Sequence, residues 1–378
     1  MKKRPQKKLV YVNQTLGMGG AEVFMRDLLL GLKQSDWEII VYTNNIQFQE
    51  ILSKEKITVK KISTIVDIIG DWKGLVKGLF LWKKLTFEYL QILNKEKKAD
   101  VFLMSGFIEK ILFSPLAKWK KKPVVWIEFG PMETIFAKFL YLPKLLYFSV
   151  KSIPVRVITS CYNSERSLLN SAQISQDKMR VLACGRNIKV KDTKKFEQDN
   201  LVVCVSRLEE GKGQDLLVRA FKDVVERIPE AKLRIIGEGD FKQKIDNEIE
   251  KYQLQKNVFL VGRVKDSMAE LSKAQVVVFP SVWPLEGFGL VMIEAMSLGK
   301  PVVAFRNGPA PEIIKDSSNG LLADSHDVNH LAKQIITLLE SKSLRTKLSK
   351  RAQIDFKEKY QIPEVVKKYN QVLFEAIK

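Results

Sequence analysis

Histidine is almost missing from this chain of 378 residues: His326 and His330 are the two it has. A zinc centre built on imidazole, or a serine or cysteine hydrolase, needs a histidine in a usable place, so both are disfavoured. Cysteine is scarce too. Cys161, Cys184 and Cys204 sit in apolar runs without a metal-ligand spacing, which predicts buried reduced thiols and a cytoplasmic setting. No uninterrupted apolar run reaches the ~20 residues of a membrane span. The start, MKKRPQKKLVYV, is basic, but its apolar part is only strand-length, so no signal peptide is expected. Acidic residues are scarce in the first half. The net charge is +20, and residues 1–187 carry +15 of it, from 31 basic and 16 acidic side chains. Such a surface suits nucleic acid, anionic lipid or phosphorylated substrates. No helix-turn-helix or stacking-aromatic pattern supports nucleic acid. No GxGxxG with a downstream ribose acid supports a dehydrogenase.

What is present is a repeated alternation of strand and helix. Leu9 to Asn13 reads as a strand, then come Gly17-Met18-Gly19-Gly20 and an amphipathic helix. EIIVYT, ITVKKIS, ADVFLMS, PVVWIEF, VRVITS and MRVLA read as further strands, with helices over 72–94 and 109–118 and a short one from Ser164. The pattern restarts at LVVCVSRL and runs through AKLRIIGEG, NVFLVG, VVVFP and PVVAF. This predicts an α/β fold of two doubly wound domains, each with a parallel sheet covered on both faces. The expected boundaries are 1–187, a polar linker 188–200, 201–362, and a C-terminal helix 363–378 packing back on the first domain. A chain of this length is divided in two on size alone. Ligands bind such sheets at the carboxyl ends of their strands, here across a cleft.

The densest chemistry lies in VVVFPSVWPLEGFGLVMIEAMSLG, residues 276–299. A buried strand breaks at Pro280 and Pro284, and a helix starts at Gly289. The unpaired N–H groups of a helix start favour an anion. Glu286 and Glu294 frame the turn. Eight helical residues would rise about 12 Å, too far for the two carboxyls of a glycosidase at about 5–9.5 Å, so the pair fits two parts of one ligand. Arg207 at a strand end and Lys212 in the loop EEGKGQD form a candidate clamp for a diphosphate.

Residues 199–323 resemble the C-terminal domain of the retaining glycosyltransferase family 4, with the GT-B fold. The likeness is carried by Ser206-Arg207-Leu208, Lys212, GEG at 237–239, the Glu-x7-Glu pair at Glu286 and Glu294, NGPAPEII and NGLL. GMGGAE at 17–22 is similar to the family's N-terminal glycine loop. The resemblance implies a metal-independent transfer of a hexose-type sugar from a UDP- or GDP-sugar, with retention of configuration and no further cofactor. It implies that Arg207 and Lys212 bind the departing diphosphate, Glu286 the transferred sugar and Glu294 the ribose. Gly289, Leu290 and Val291 would offer N–H groups to phosphate, Gly19 and Gly20 would approach it from the other domain, and Arg263 and Val264 would lie beside the base. Many members have a histidine after the strand VVWIEFG, where this chain has Glu128.

Two stretches of the first domain, 72–93 and 135–151, mix Trp, Phe and Leu with Lys. They are either core helices or segments for the interface of an anionic membrane. The reading adopted is a peripheral enzyme on the inner face of the cell membrane, with a glycan or lipid-linked saccharide acceptor in cell-surface polymer or glycolipid synthesis. The alternatives are a nucleotide-sugar epimerase of the same architecture, which would need a histidine in the first domain, and a basic nucleic-acid-binding protein.

Overall fold

A computed structural model describes residues 6–15, 17–66, 69–189 and 196–378. The chain divides into two compact units, 1–184 with 362–378, and 185–361.

In unit 1 the strands are β1 (Lys7–Asn13), β2 (Trp37–Thr43), β3 (Thr58–Lys61), β4 (Val101–Met104), β5 (Val124–Glu128), β6 (Arg156–Thr159) and β7 (Met179–Val181). They form a parallel sheet in the order β3-β2-β1-β4-β5-β6-β7. The helices are α1 (Gly20–Gln34), α2 (Ile46–Lys54), α3 (Trp72–Lys95), α4 (Phe107–Trp119), α5 (Glu133–Ala137), α6 (Leu142–Val150) and α7 (Tyr162–Ser167). Val10, Val12, Phe102, Met104 and Trp126 are sealed in the sheet, as expected where helices cover both faces. Side-chain caps fix several helix starts: Asp71 accepts from Gly74 N–H at α3, and Asn45 from Phe48 N–H at α2. The sequence reading missed α2, because its buried positions are only Phe48 and Leu52, too few for a periodicity.

In unit 2, β8 (Leu201–Val205), β9 (Lys232–Ile236), β10 (Val258–Gly262), β11 (Val276–Phe279), β12 (Val302–Phe305) and β13 (Leu321–Ala323) form a second parallel sheet, ordered β10-β9-β8-β11-β12-β13. Its helices are α8 (Gln214–Arg227), α9 (Lys242–Lys251), α10 (Ser267–Lys273), α11 (Leu290–Ser297), α12 (Ala310–Ile313), α13 (Val328–Glu340) and α14 (Lys342–Asp355). The amphipathic α8 packs Leu217, Val218, Phe221 and Val224 into an aliphatic core.

The chain then returns to unit 1 as α15 (Ile362–Ala376), which buries Val365, Val366, Tyr369 and Leu373 beside α1. Phe24 of α1 stacks at a tilt on Tyr369, and Trp37 donates its indole N–H to Asn370 Oδ1. The polar stretch expected to stand between the domains partly belongs to unit 2. Gln198 N–H donates to Lys273 O, and Lys300 Nζ reaches Glu197 at 2.9 Å. Residues 190–195 of that stretch lie outside the described ones.

The strand order places a topological switch point between β1 and β4 in unit 1, and between β8 and β11 in unit 2. At such a point neighbouring strands send their connections to opposite faces, leaving a crevice at the carboxyl edge.

Candidate active site

In unit 2 the loops after β8 and β11 flank that crevice, and together with α11 they carry most of the residues singled out from the sequence. Gln214 at the start of α8 donates from Nε2 to Ser206 Oγ and to the carbonyl of Arg207, both at 2.7 Å, which fixes the turn after β8. At Gly213, φ is +72° and a side-chain carbon would lie 1.9 Å from Pro280 O, so the two loops close on each other only through glycine.

Lys212 and Glu286 are brought together. Lys212 Nζ lies 2.7 Å from Glu286 Oε2 and sits 4.9 Å from the centre of the Trp283 ring. Ser281 Oγ donates to the same carboxylate oxygen at 2.8 Å. Asn307, after β12, ties down the loop by donating from Nδ2 to Ser281 O and Trp283 O. The Lys212 and Glu286 side chains are each 12% exposed, so the pair is partly withdrawn from water while remaining reachable. Arg207 differs. Its side chain is 72% exposed and pairs with Glu209 Oε1 at 2.6 Å, so the two cations of the expected clamp do not share a partner.

Glu286 lies in a loop, and the helix begins only at Leu290, so the 12 Å helical rise between Glu286 and Glu294 does not apply. Their side chains meet different groups: Glu294 Oε1 accepts from Arg186 Nε at 2.9 Å. Gly289 caps α11 at φ +79° and ψ +63°, where a side-chain carbon would stand 2.7 Å from Met292 Cε and 2.9 Å from the Phe279 ring. Among the described residues no side chain caps this helix start, so Leu290 and Val291 present the N-terminal N–H groups of α11 at the carboxyl edge of the sheet. Arg263 and Val264 follow β10, Arg263 exposed and Val264 half-buried.

In unit 1, Gly19 is the N-cap of α1, and its N–H donates to Glu22 Oε2 at 2.8 Å. Gly20 is the first residue of that helix. Glu128 ends β5 and is buried. It pairs with Lys110 Nζ at 2.8 Å and accepts from Tyr147 OH at 2.7 Å. Lys110 also donates to the carbonyls of Ser105 and Ile127, and burial lowers its pKa against the pull of Glu128. Glu128 is therefore a member of a closed buried network. Glu109 at the switch point of unit 1 is fully buried. Its Oε1 accepts from Gln14 N–H, and desolvation pushes its pKa up to about 7.

Asp324, Asp327 and His330 each bring a ligand-type atom within 4.8 Å of the others. Asp327 caps α13 by accepting from His330 N–H, and the His330 ring meets Asp324, so the cluster is a capped helix start at the surface.

Residues 185–355, almost all of unit 2, match the family model described as Glycosyl transferases group 1. Unit 2 is thus similar to the group 1 glycosyltransferases. The poly(glycerol-phosphate) alpha-glucosyltransferase of Bacillus subtilis is 38% identical over 168 residues, covering 44% of this chain and 24% of that protein. The poly(ribitol-phosphate) alpha-N-acetylglucosaminyltransferase of Staphylococcus aureus is 35% identical over 178 residues, 47% of this chain and 36% of that protein. An uncharacterized glycosyltransferase of Methanocaldococcus jannaschii is 29% identical, covering 60% of this chain and 61% of that one. The chain thus spans less than two thirds of these relatives' lengths. Among solved structures, Anabaena HepE in complex with UDP and glucose aligns with a TM-score of 0.80 at 19% identity, covering 97% of this chain and 99% of that one. A glycosyltransferase from Rickettsia africae aligns with a TM-score of 0.80 at 17% identity, covering 99% and 100%. At these identities the likeness is one of fold, which is GT-B. Within unit 2, Arg186 is a site neighbour that sequence reasoning missed. It lies 108 positions from Glu294, in a polar stretch with no motif, and only the folded chain joins the two.

Proposed function

We propose that this protein is a retaining glycosyltransferase that moves a hexose-type sugar from a UDP- or GDP-sugar to a glycan or lipid-linked saccharide. Unit 2 takes the donor and unit 1 the acceptor. The observation that carries this is the Lys212–Glu286 pair beside the uncapped start of α11, at the switch point of the sheet. An ammonium has three N–H donors. One serves Glu286 and the others are available to a diphosphate, whose second charge meets the helix start at Gly289, Leu290 and Val291. Arg207, exposed on the adjoining loop, swings from Glu209 to the same diphosphate. The developing charge on the leaving group is met by these cations and N–H groups, so no metal is required. Glu286 contacts the transferred sugar, Glu294 the ribose, and Arg263 and Val264 the base. In unit 1 the start of α1 at Gly19 and Gly20 takes the corresponding place, with the diphosphate displacing the Glu22 carboxylate from the Gly19 N–H. The names of the relatives, which act on poly(glycerol-phosphate) and poly(ribitol-phosphate), support a cell-surface polymer or glycolipid as product.

The test is a thermal-shift panel of UDP, GDP, ADP and their sugar derivatives, followed by transfer assays with and without a chelator. A ligand that binds only the folded state raises its midpoint. One diphosphate and its sugar derivative are expected to do so, and turnover is expected to survive chelation. No shift with any of them would overturn the reading. The epimerase alternative predicts interconversion of the free nucleotide sugar without an acceptor.

The proposed place of work is an anionic membrane surface, on its cytoplasmic face. Among the described residues no helix is long and apolar enough to cross a membrane. Helix α3 instead has two apolar faces. Leu75, Leu85, Tyr89 and Ile92 point into the core, while Trp72, Val76, Leu79, Phe80 and Phe87 are exposed, Phe80 at 82%. Trp72 meets Phe139 edge-on at 4.8 Å, joining this stripe to the exposed Leu140, Tyr141 and Leu145. Lys73, Lys77, Lys83, Lys84, Lys138, Lys144 and Lys151 surround them, with no acidic residue in 72–87 or 134–151. Each lysine near an anionic surface contributes about 1 kcal/mol. Flotation with anionic liposomes is expected to carry the protein at low salt and to fail with neutral ones. Absence of binding at low salt would remove this part of the proposal.

A further inference from the structure

Glu294 does not stand alone on α11. Arg186 Nε lies 2.9 Å from its Oε1, and the two side chains are only 11% and 13% exposed. The backbone of Arg186 is pinned as well. Its N–H donates to Tyr360 O at 2.9 Å, and it forms a parallel bridge with Gln361. The chain passes between the two units at 184/185 and at 361/362. Both crossing segments therefore meet at the residue whose side chain grips Glu294. A carboxylate has free rotation about its last torsion, whereas a guanidinium is a planar fork fixed by its stem. With one oxygen held by the Arg186 Nε–H, the rotation of the Glu294 carboxylate is restricted, and its orientation is tied to the junction segments.

We infer that Arg186 is a positioning residue for the nucleotide: it holds the Glu294 carboxylate in the orientation that accepts both hydroxyls of a ribose diol, and so sets the preference for ribonucleotides over deoxyribonucleotides. The inference rests on the reading of Glu294 as the ribose-holding residue. Removing one hydroxyl of the diol forfeits a hydrogen bond to a charged acceptor, which is why the preference can be large. It also predicts that a change at 186 acts on donor binding and leaves the departure of the sugar to Lys212 and Glu286.

The experiment measures Kd for the tightest binder among UDP, GDP and ADP, and for its 2′-deoxy analogue. It uses the wild type, Arg186→Met, Arg186→Lys, Glu294→Gln and the double variant of Arg186→Met with Glu294→Gln, each checked for an intact thermal transition. The backbone bond from residue 186 to Tyr360 survives every one of these changes. The wild type is expected to bind the ribonucleotide about tenfold or more tightly than the deoxy form, the worth of one hydrogen bond to a charged group. Glu294→Gln and Arg186→Met are each expected to bring that ratio close to one. Arg186→Lys is expected to recover part of it, and the double variant to add nothing further. In transfer assays Arg186→Met is expected to raise the donor KM while kcat stays within about twofold. A wild-type ratio kept in Arg186→Met, with only a lowered melting point, would show a purely structural tie and overturn the inference. Loss of the ratio in Arg186→Met but not in Glu294→Gln would also overturn it. If the wild type binds none of the three nucleotides, the proposed function fails, and this inference with it.

Discussion

Lys212 and Glu286 hold each other, so a substitution at either changes both charge and packing. Lys212→Ala removes the donor to the leaving phosphate and leaves the Glu286 carboxylate with the Ser281 hydroxyl. Loss of one preorganised donor at a site of developing charge typically costs about 10²–10³ in rate. Turnover of Lys212→Ala is expected to fall by that order while a melting curve still shows a folded protein; a wild-type rate would remove Lys212 from the site. Glu286→Gln is expected to lower kcat more than donor affinity. Gly289→Ala tests the turn itself. With φ at +79° and only 2.7 Å between the new carbon and Met292 Cε, the change is expected to cost about 1–3 kcal/mol and to lower the melting point. At this scale the sequence is readable where function is written locally. The Glu-x7-Glu spacing, the glycine at the helix start and the loop lysine are all visible along the chain. Arg186 and Lys110 are not, since each earns its role from a partner brought near by folding, 108 and 18 positions away.

The elements show a similar division. Strands buried on both faces read as short apolar runs, and all the expected ones exist. Helix α2 escaped because its contribution is two buried side chains. Helix α3 was ambiguous for a different reason. Its apolar residues are too many for one stripe, and composition alone does not separate a core helix from one with a second apolar face. The structure resolves that: Leu85, Tyr89 and Ile92 are core, while Phe80 and Phe87 face out. Exposed aromatics contribute little to folding, so Phe80→Ser with Phe87→Ser is expected to leave the melting point within about 1 kcal/mol of wild-type stability. The same pair is expected to reduce liposome binding by about tenfold or more, since each buried large apolar side chain is worth about 1.5–3 kcal/mol. Unchanged flotation would move the docking face elsewhere. A large fall in melting point would mean that these rings are packed after all.

On the scale of the whole molecule, two units of the same architecture share one polypeptide that leaves unit 1 at Cys184 and re-enters it at Ile362. Unit 1 is thus completed only when the last helix is made, with Tyr369 and Val366 packed beside α1. Its stability also carries a pH signature. Glu109 is fully buried at the switch point, and desolvation raises its pKa from 4.5 to about 7 in the folded state. The unfolded chain releases that proton near the ordinary value, so between about pH 4.5 and pH 7 the folded state holds more protons. Stability from this group is then fully present below about pH 4.5 and is lost as pH rises through about 7. The difference amounts to about 3 kcal/mol, from two to three pKa units at 1.36 kcal/mol each. Glu109→Gln keeps an oxygen to accept from Gln14 N–H and has no proton to lose. Relative to that variant, the wild type is expected to lose stability steadily between pH 5 and pH 7 and to run parallel above pH 8. Denaturant melts of both proteins across this range read the difference directly, because titrations shared by the two cancel. Parallel curves from pH 5 to pH 8 would show that Glu109 ionises in the folded state as it does in the unfolded chain, and that water reaches it.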